Sequence, residues 1–372
     1  MFLALIGLWK AIRRVSERSV EITREGCIAT IGIIALFSGF SFGNLQEKRT
    51  RMAKYVVTGA AGFIGSRVAT SLLTEGHTVT GIDCLNDAYD PKMKFWRLSS
   101  LNKFEKFTLF ENDISDSIPS WTLEFEGVEA VIHLAARAGV RQSVLTPELY
   151  LTANVNGTLN VLEACRKYEV KSFILASTSS LYGASREQPY SEESESSKTL
   201  SPYAASKKAA ETLTHTYHYL YGLNTQILRF FTVYGPAGRP DMSIFRFIQS
   251  IVDGKELTLF GDGGERDFTY VDDTADGVIR ATRLNGYNVI NLGSDRPIRI
   301  QKVIEIIENV VGKTATISVK ERDPSDVPST WANISLAREL LNWTPRTSIE
   351  DGIKLAVDWY LTNRQWASHI SS

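Results

Sequence analysis

Cysteine and histidine are scarce in this 372-residue chain, which holds three cysteines (Cys27, Cys84, Cys165) and five scattered histidines. None of their spacings fits a metal centre or a disulfide framework, so the thiols read as free in a reducing compartment and no metal is expected. Strong charge of either sign is also missing. A formal net charge of -1 gives no electrostatic reason to expect nucleic acid or acidic membranes as partners. Internal repeats and low-complexity tracts are lacking too. With 43% apolar and 22% charged residues, the chain has the composition of an ordinary globular protein and the length to bury a large core.

Long apolar runs are absent with one exception. Cys27–Gly43 is an uncharged stretch of 17 residues, at the short end of a membrane-spanning helix. Basic residues flank both of its sides, so they set no orientation. Three readings stand: a single membrane anchor, a removable targeting segment, or an upstream stretch that is not used because Met52 is the true start. The first would make the protein membrane-anchored by 27–43, and the last leaves it cytoplasmic.

From Lys54 onward, short apolar runs alternate with helical periodicity, the pattern of an open parallel sheet covered by helices. Strands are expected at Tyr55–Thr58, Thr78–Ile82, Phe107–Phe110, Ala130–Leu134 and Ser172–Ala176, and helices over Phe63–Glu75 and Asn154–Tyr168. The acidic run Gly183–Ser201 reads as a solvated loop. After Phe231 the alternation loosens, and segments such as Ile298–Val311 and Ile349–Tyr360 suggest a smaller second lobe. The fold class is therefore α/β, a Rossmann-type doubly wound parallel sheet with a smaller C-terminal substrate-binding lobe.

Gly59 and Gly62 fall between the first strand and the first helix, and Gly65 lies in the opening turn of that helix after Phe63 and Ile64. Glycine is needed where a backbone turns tightly and approaches a pyrophosphate, and the helix N-terminus offers the phosphates free amides. Asp83 ends the second strand, 24 residues after Gly59. A carboxylate there accepts hydrogen bonds from a ribose 2′-hydroxyl and would repel a 2′-phosphate, so NAD is expected rather than NADP. Asp113 and Ile114 follow the third strand, where the adenine edge would lie. Ala135 and Ala136 follow the fourth and are small enough to let a cofactor pass. Asn154, at the start of the next helix, is a further candidate cofactor contact.

Tyr203 and Lys207 are four residues apart on an expected helix and so share a face. A tyrosine is a poor base near neutral pH, but a neighbouring ammonium and a cationic nicotinamide would favour its phenolate. Thr178, 25 residues before Tyr203, suits a hydroxyl that shares the substrate's reacting oxygen.

The strings TGAAGFIGS, HLAARAGVR, STSSLYG, SPYAASKKA, LRFFTVYGPAGRPDM and ERDFTYVDD together resemble extended short-chain dehydrogenases/reductases, and UDP-glucuronate 4-epimerases in particular. The likeness runs from Ala53 to about Tyr360. It implies a Rossmann domain over 52–232, a sugar-nucleotide lobe mainly over 233–372 with some return segments, tightly held NAD and a homodimer. In the implied mechanism Tyr203 takes the proton of the sugar 4-hydroxyl while the C4 hydride passes to NAD. Lys207 holds the nicotinamide ribose, the 4-keto sugar rotates, and hydride returns to its other face. Thr178, Ser179, Ser180 and Thr232 match positions around the C5 substituent. Arg239, Arg266 and Arg141 are candidates to reach the uronate or pyrophosphate, and Asp326 matches an aspartate at the uridine ribose. Asp323 and Arg137 depart from the family pattern; Arg137 stands where glutamine is common.

The same resemblance frames the alternatives. Dehydratases carry Asp-Glu after the catalytic threonine, and UDP-glucuronate decarboxylases carry a glutamate nearby, whereas Ser179 and Ser180 cannot titrate. UDP-glucose 4-epimerases tend to place asparagine where this chain has Thr232. A non-catalytic NAD sensor would usually have lost Tyr203 or Lys207.

Overall fold

The computed structural model describes residues 52–116, 120–185, 187–322 and 327–371. The apolar stretch 27–43, Asp323 and Asp326 lie outside the described residues. Six strands form the first part of a parallel sheet: β1 (Lys54–Thr58), β2 (Thr78–Asp83), β3 (Phe107–Glu111), β4 (Ala130–His133), β5 (Ser172–Thr178) and β6 (Asn224–Phe230). Their order is β6-β5-β4-β1-β2-β3, and every neighbouring pair is parallel. These segments are near-continuous apolar runs because both faces of the sheet are covered. Alternate residues divide between two cores. Val56, Val131, Phe173 and Leu175 pack on one face, and Val57, Ile132, Ile174 and Ala176 on the other.

The covering helices are α1 (Phe63–Thr74), α2 (Lys92–Leu101), α3 (Gly157–Lys167) and α4 (Pro202–Tyr221). Where one helix over Asn154–Tyr168 was expected, a wide π-type turn at Thr152–Asn156 precedes α3. The Thr158 hydroxyl donates to the Asn154 carbonyl at 2.6 Å, a back-bond that loosens the helical ladder there.

Beyond β6 come β7 (Thr232–Tyr234), α5 (Ser243–Asp253), β8 (Glu256–Phe260), β9 (Glu265–Tyr270) and α6 (Val271–Ala281). The chain then returns to the main sheet, where β10 (Tyr287–Leu292) pairs with β6 as a seventh parallel strand. It leaves again into β11 (Pro297–Arg299), α7 (Ile300–Val311), β12 (Thr316–Lys320) and α8 (Ile349–Thr362). In this second lobe β11, β9 and β7 form one small sheet, and β12 pairs with β8. Among the described residues, no helix is long and apolar enough to cross a membrane.

The acidic run is only partly the solvated loop expected. Glu187, Glu193 and Glu195 are exposed, but Tyr190 is buried and stacks on Tyr182 with ring centroids 4.8 Å apart. That anchor draws in Glu192, whose carboxylate accepts a 2.8 Å bond from the Asn291 amide. Burial raises the Glu192 carboxyl above its ordinary range.

Candidate active site

The C-terminal ends of β1, β2, β4 and β5 open on one cavity of about 450 Å³. Gly59 sits there with φ +71°, a conformation that suits glycine, and a Cβ on it would lie 2.8 Å from the Ala135 nitrogen. The Gly62 amide donates to the Gly59 carbonyl at 2.9 Å, and a Cβ on Gly65 would collide with that same carbonyl. Among the described residues no side chain caps α1, so its first amides are left for another acceptor. Gly59, Gly62, Phe63, Ile64 and Gly65 all line the cavity.

Asp83, Asp113, Ile114, Ala135 and Ala136 line the same wall. The buried Asp83 carboxylate accepts bonds from the Ala61 amide (3.1 Å), the Leu85 amide (2.9 Å) and the Lys94 ammonium (3.3 Å). Lys94, a buried cation that the sequence reading missed, fixes this carboxylate in place. Asn154 is not on the wall: its side chain clasps the Arg137 backbone, accepting from the amide at 2.8 Å and donating to the carbonyl at 2.9 Å.

Tyr203 and Lys207 lie one turn apart near the start of α4. Ser201 caps that helix by accepting from the Ala204 amide at 3.2 Å, and Pro202 takes its first position. Thr178, at the end of β5, accepts from the Ser180 amide at 3.1 Å. All three residues face the cavity. Burial pushes the Tyr203 phenol up, while a hydrogen bond with Thr178 and the charge of Arg239 pull it back. Burial pulls the Lys207 ammonium down to about 8, opposed by the negative charge of Glu211.

Two buried networks support these groups, and neither shows in local spacing. Glu211, one turn beyond Lys207, accepts from the Ser177 hydroxyl (2.7 Å) and from Arg229 through both oxygens (2.9 Å each). Arg229 also reaches the Tyr182 hydroxyl and the Glu192 carbonyl, each at 3.1 Å. In the second network His133 lies 2.8 Å from the Thr58 hydroxyl and 3.0 Å from that of Thr158. Thr158 spends its proton on the Asn154 carbonyl, so Nε2 of His133 is the donor and Nδ1 accepts from Thr58. Burial and the Lys207 charge press this imidazole down to about 3 and keep it neutral.

Ser179, Ser180, Thr232 and Arg239 complete the other end of the cavity. Arg239 donates to the Ala138 carbonyl at 3.2 Å and pairs with Asp241. Arg141 and Arg266 do not line it among the described residues. The Arg141 guanidinium lies 3.9 Å over the Phe260 ring, and Arg266 donates to the carbonyls of Glu265 (2.8 Å) and Pro328 (3.1 Å). No group of three or more His, Cys, Asp or Glu side chains among the described residues could hold a metal ion.

The fold and the cavity define a Rossmann enzyme with a tyrosine–lysine pair at its dinucleotide end. The chain belongs to the NAD dependent epimerase/dehydratase family, whose pattern matches residues 55–293. It is 51% identical over 315 residues to the UDP-glucuronate 4-epimerase of Thermodesulfobacterium geofontis, covering 84% of this chain and 97% of that protein. It is 37% identical to UDP-glucuronate 4-epimerase 1 of Arabidopsis thaliana over 353 residues, 87% of this chain and 82% of the relative. The crystal structure of the Bacillus cereus UDP-glucuronic acid 4-epimerase with UDP-glucuronic acid and NAD superposes with a TM-score of 0.79 at 36% identity, covering 83% of this chain and 99% of that one.

The cavity fits NAD on its own terms. An uncapped helix N-terminus, a glycine cradle that side chains would fill and an oriented Asp83 carboxylate occupy one end. At the other, the Lys207 ammonium has no hydrogen bond among the described residues.

Proposed function

We propose that the chain catalyses the NAD-dependent 4-epimerisation of UDP-glucuronate to UDP-galacturonate through a transient 4-keto sugar. The observation that carries this reading is the meeting, in one cavity, of a dinucleotide loop, the Thr178–Tyr203–Lys207 set and a wall of neutral hydroxyls. Ser179 and Ser180 stand where an acid would serve elimination or decarboxylation.

In this reading Tyr203 takes the proton of the sugar 4-hydroxyl and gives it back, with Thr178 sharing the reacting oxygen. Bound NAD supplies the hydride acceptor and, in its cationic ring, a further positive charge beside Tyr203. That charge matters because burial holds the phenol high; the hydrogen bond with Thr178 and the charge of Arg239 act in the same lowering direction. Lys207 also holds the nicotinamide ribose, and Asn154 acts through the Arg137 backbone and not by touching cofactor. Ser179, Ser180 and Thr232 hold the C5 carboxylate by hydrogen bonds in an orientation that disfavours loss of carbon dioxide from the β-keto acid. Arg239 serves the uronate or pyrophosphate from the cavity wall; Arg266, and Arg141 as the weaker candidate, reach the same edge only by leaving their present partners, and Asp326 serves the uridine ribose. Residues 52–232 act as the cofactor domain and 233–372 mainly as the sugar-nucleotide lobe.

The enzyme works as a cytoplasmic homodimer in this proposal. Among the described residues the cysteines Cys84 and Cys165 are free thiols, which fits a reducing compartment, and Tyr219, Leu220 and Tyr221 at the end of α4 expose apolar surface for a second copy. The test is to incubate the purified chain with UDP-glucuronate, UDP-glucose and UDP-N-acetylglucosamine, resolving products by NMR and monitoring carbon dioxide. UDP-galacturonate from the first substrate alone is expected. UDP-galactose as the main product, or a pentose, would refute it.

A further inference from the structure

Five basic side chains stand in the cavity or its supports: Lys94, Arg137, Lys207, Arg229 and Arg239. Lys207 is assigned above to the nicotinamide ribose, and three of the others have a counterpart. Lys94 is bonded to Asp83, Arg229 to Glu211, and Arg239 to Asp241. Arg137 differs. It lines the cavity and is partly buried, yet its guanidinium makes no ion pair or hydrogen bond among the described residues. Its backbone, by contrast, is firmly fixed. The Asn154 side chain bonds both its amide and its carbonyl, and donates a further 2.9 Å bond to the Ser206 hydroxyl. Ser206 in turn donates to the Tyr203 carbonyl at 2.7 Å, so the Arg137 backbone is tied to the helix that carries the catalytic pair.

The charge lies at the reacting end of the cavity. The next carbonyl, that of Ala138, accepts from Arg239 at 3.2 Å. Burial raises the phenol of Tyr150, and the charges of Arg239 and then Arg137 oppose that effect. The Tyr150 ring is 6.2 Å from that of Tyr203. Asp83 and Asp113, the cavity's carboxylates, sit instead with the glycine loop at the dinucleotide end. A partly buried arginine on a rigid mount is a poor place to leave a charge unless an anion arrives to meet it, and its planar fork matches paired oxygens.

We propose that Arg137 is a substrate-binding residue that receives an anionic oxygen pair of the nucleotide sugar, supplied by its diphosphate or by its C5 carboxylate. This rests on the nucleotide-sugar reading above and deepens it.

The test compares the full-length, NAD-loaded wild type with R137Q and R137K, measuring calorimetric Kd values for UDP, UDP-glucose and UDP-glucuronate together with bound NAD and Tm. R137Q should bind UDP-glucuronate about tenfold or more weakly with NAD content unchanged, and R137K should recover part of that affinity. Equal losses for all three ligands assign the diphosphate, and a loss for UDP-glucuronate alone assigns the carboxylate; either supports the proposal. Unchanged affinity for every ligand in R137Q overturns it, as does a loss that tracks NAD release in both variants. A wild type that binds UDP but neither binds nor turns over UDP-glucuronate would refute the function reading, and the UDP arm would still report on Arg137.

Discussion

Replacing Glu211 with glutamine separates the support of the site from its chemistry. The side chain keeps its size and can still accept from Ser177, but Arg229 loses its counter-charge in a place where both side chains are almost fully buried. Removing one partner of a buried pair costs about 3–5 kcal/mol. Arg229 keeps its bonds to Tyr182 and the Glu192 carbonyl, so the lower end, about 3 kcal/mol, is expected. With an unfolding entropy of ~2.1 cal/mol/K per residue over roughly 320 residues, that lowers Tm by about 4–5 °C. The second effect is on Lys207. Its ammonium, at about 8, is held up by Glu211 against the pull of burial, while Arg229 and the neutral His133 offer no compensating negative charge. Without Glu211 the lysine loses its proton at lower pH. The alkaline limb of kcat/KM should move to lower pH, and activity at pH 8.5 should fall more than activity at pH 6.5. Differential scanning fluorimetry and a pH–rate profile with UDP-glucuronate read both effects. A Tm within about 1 °C of wild type with a superimposable pH profile would refute the reasoning.

Three further outcomes are expected. Tyr203→Phe should retain bound NAD and its Tm while the epimerisation rate drops by at least about 10²–10⁴-fold, as judged by NMR of products; a smaller loss would remove Tyr203 from proton transfer. Thr178→Val and Ser179→Ala should slow epimerisation or raise carbon dioxide release, and unchanged rates and products in both would discount the hydroxyl wall. His133, neutral with a folded value of about 3 against an ordinary value near 6.5, favours the fold fully above pH ~6.5. That contribution is lost as pH falls toward 3, at about 1.4 kcal/mol per pH unit. Urea midpoints at pH 7, 5 and 4 should therefore fall more steeply for wild type than for His133→Gln, and equal slopes would contradict the assignment.

The cofactor half of the molecule was largely legible because its signals are local. Parallel strands covered on both faces must be apolar throughout, and a loop pressed against the Ala135 backbone must use glycine at Gly59. Tyr203 and Lys207 declare themselves through helical spacing. What escaped reading is set by contacts between distant segments. The Lys94 ammonium has an ordinary surface residue's sequence context, yet α2 carries it to Asp83. Asn154 was expected at the cofactor, but the π turn aims it at the Arg137 backbone. The partial burial of Glu192 depends on Tyr190 finding Tyr182 and on an amide about one hundred residues later. Glu211 had the best local clue, four residues after Lys207 on the same face, but its meaning came from Arg229 across the helix–sheet boundary.

The return of β10 to the edge of the main sheet bears on how the enzyme can move. The chain leaves the sheet at Phe231, whose amide donates to the Leu292 carbonyl at 3.2 Å, so outgoing and returning strands are stitched together where the lobe begins. The second lobe therefore has no single tether on which to swing. Any opening must flex several chain crossings at once, and a proteolytic cut at one of them would leave the halves joined by the rest. Under the proposed function, such a scaffold leaves the admission of substrate to side chains and loops rather than to a swing of the lobe, because the main sheet runs unbroken through β10.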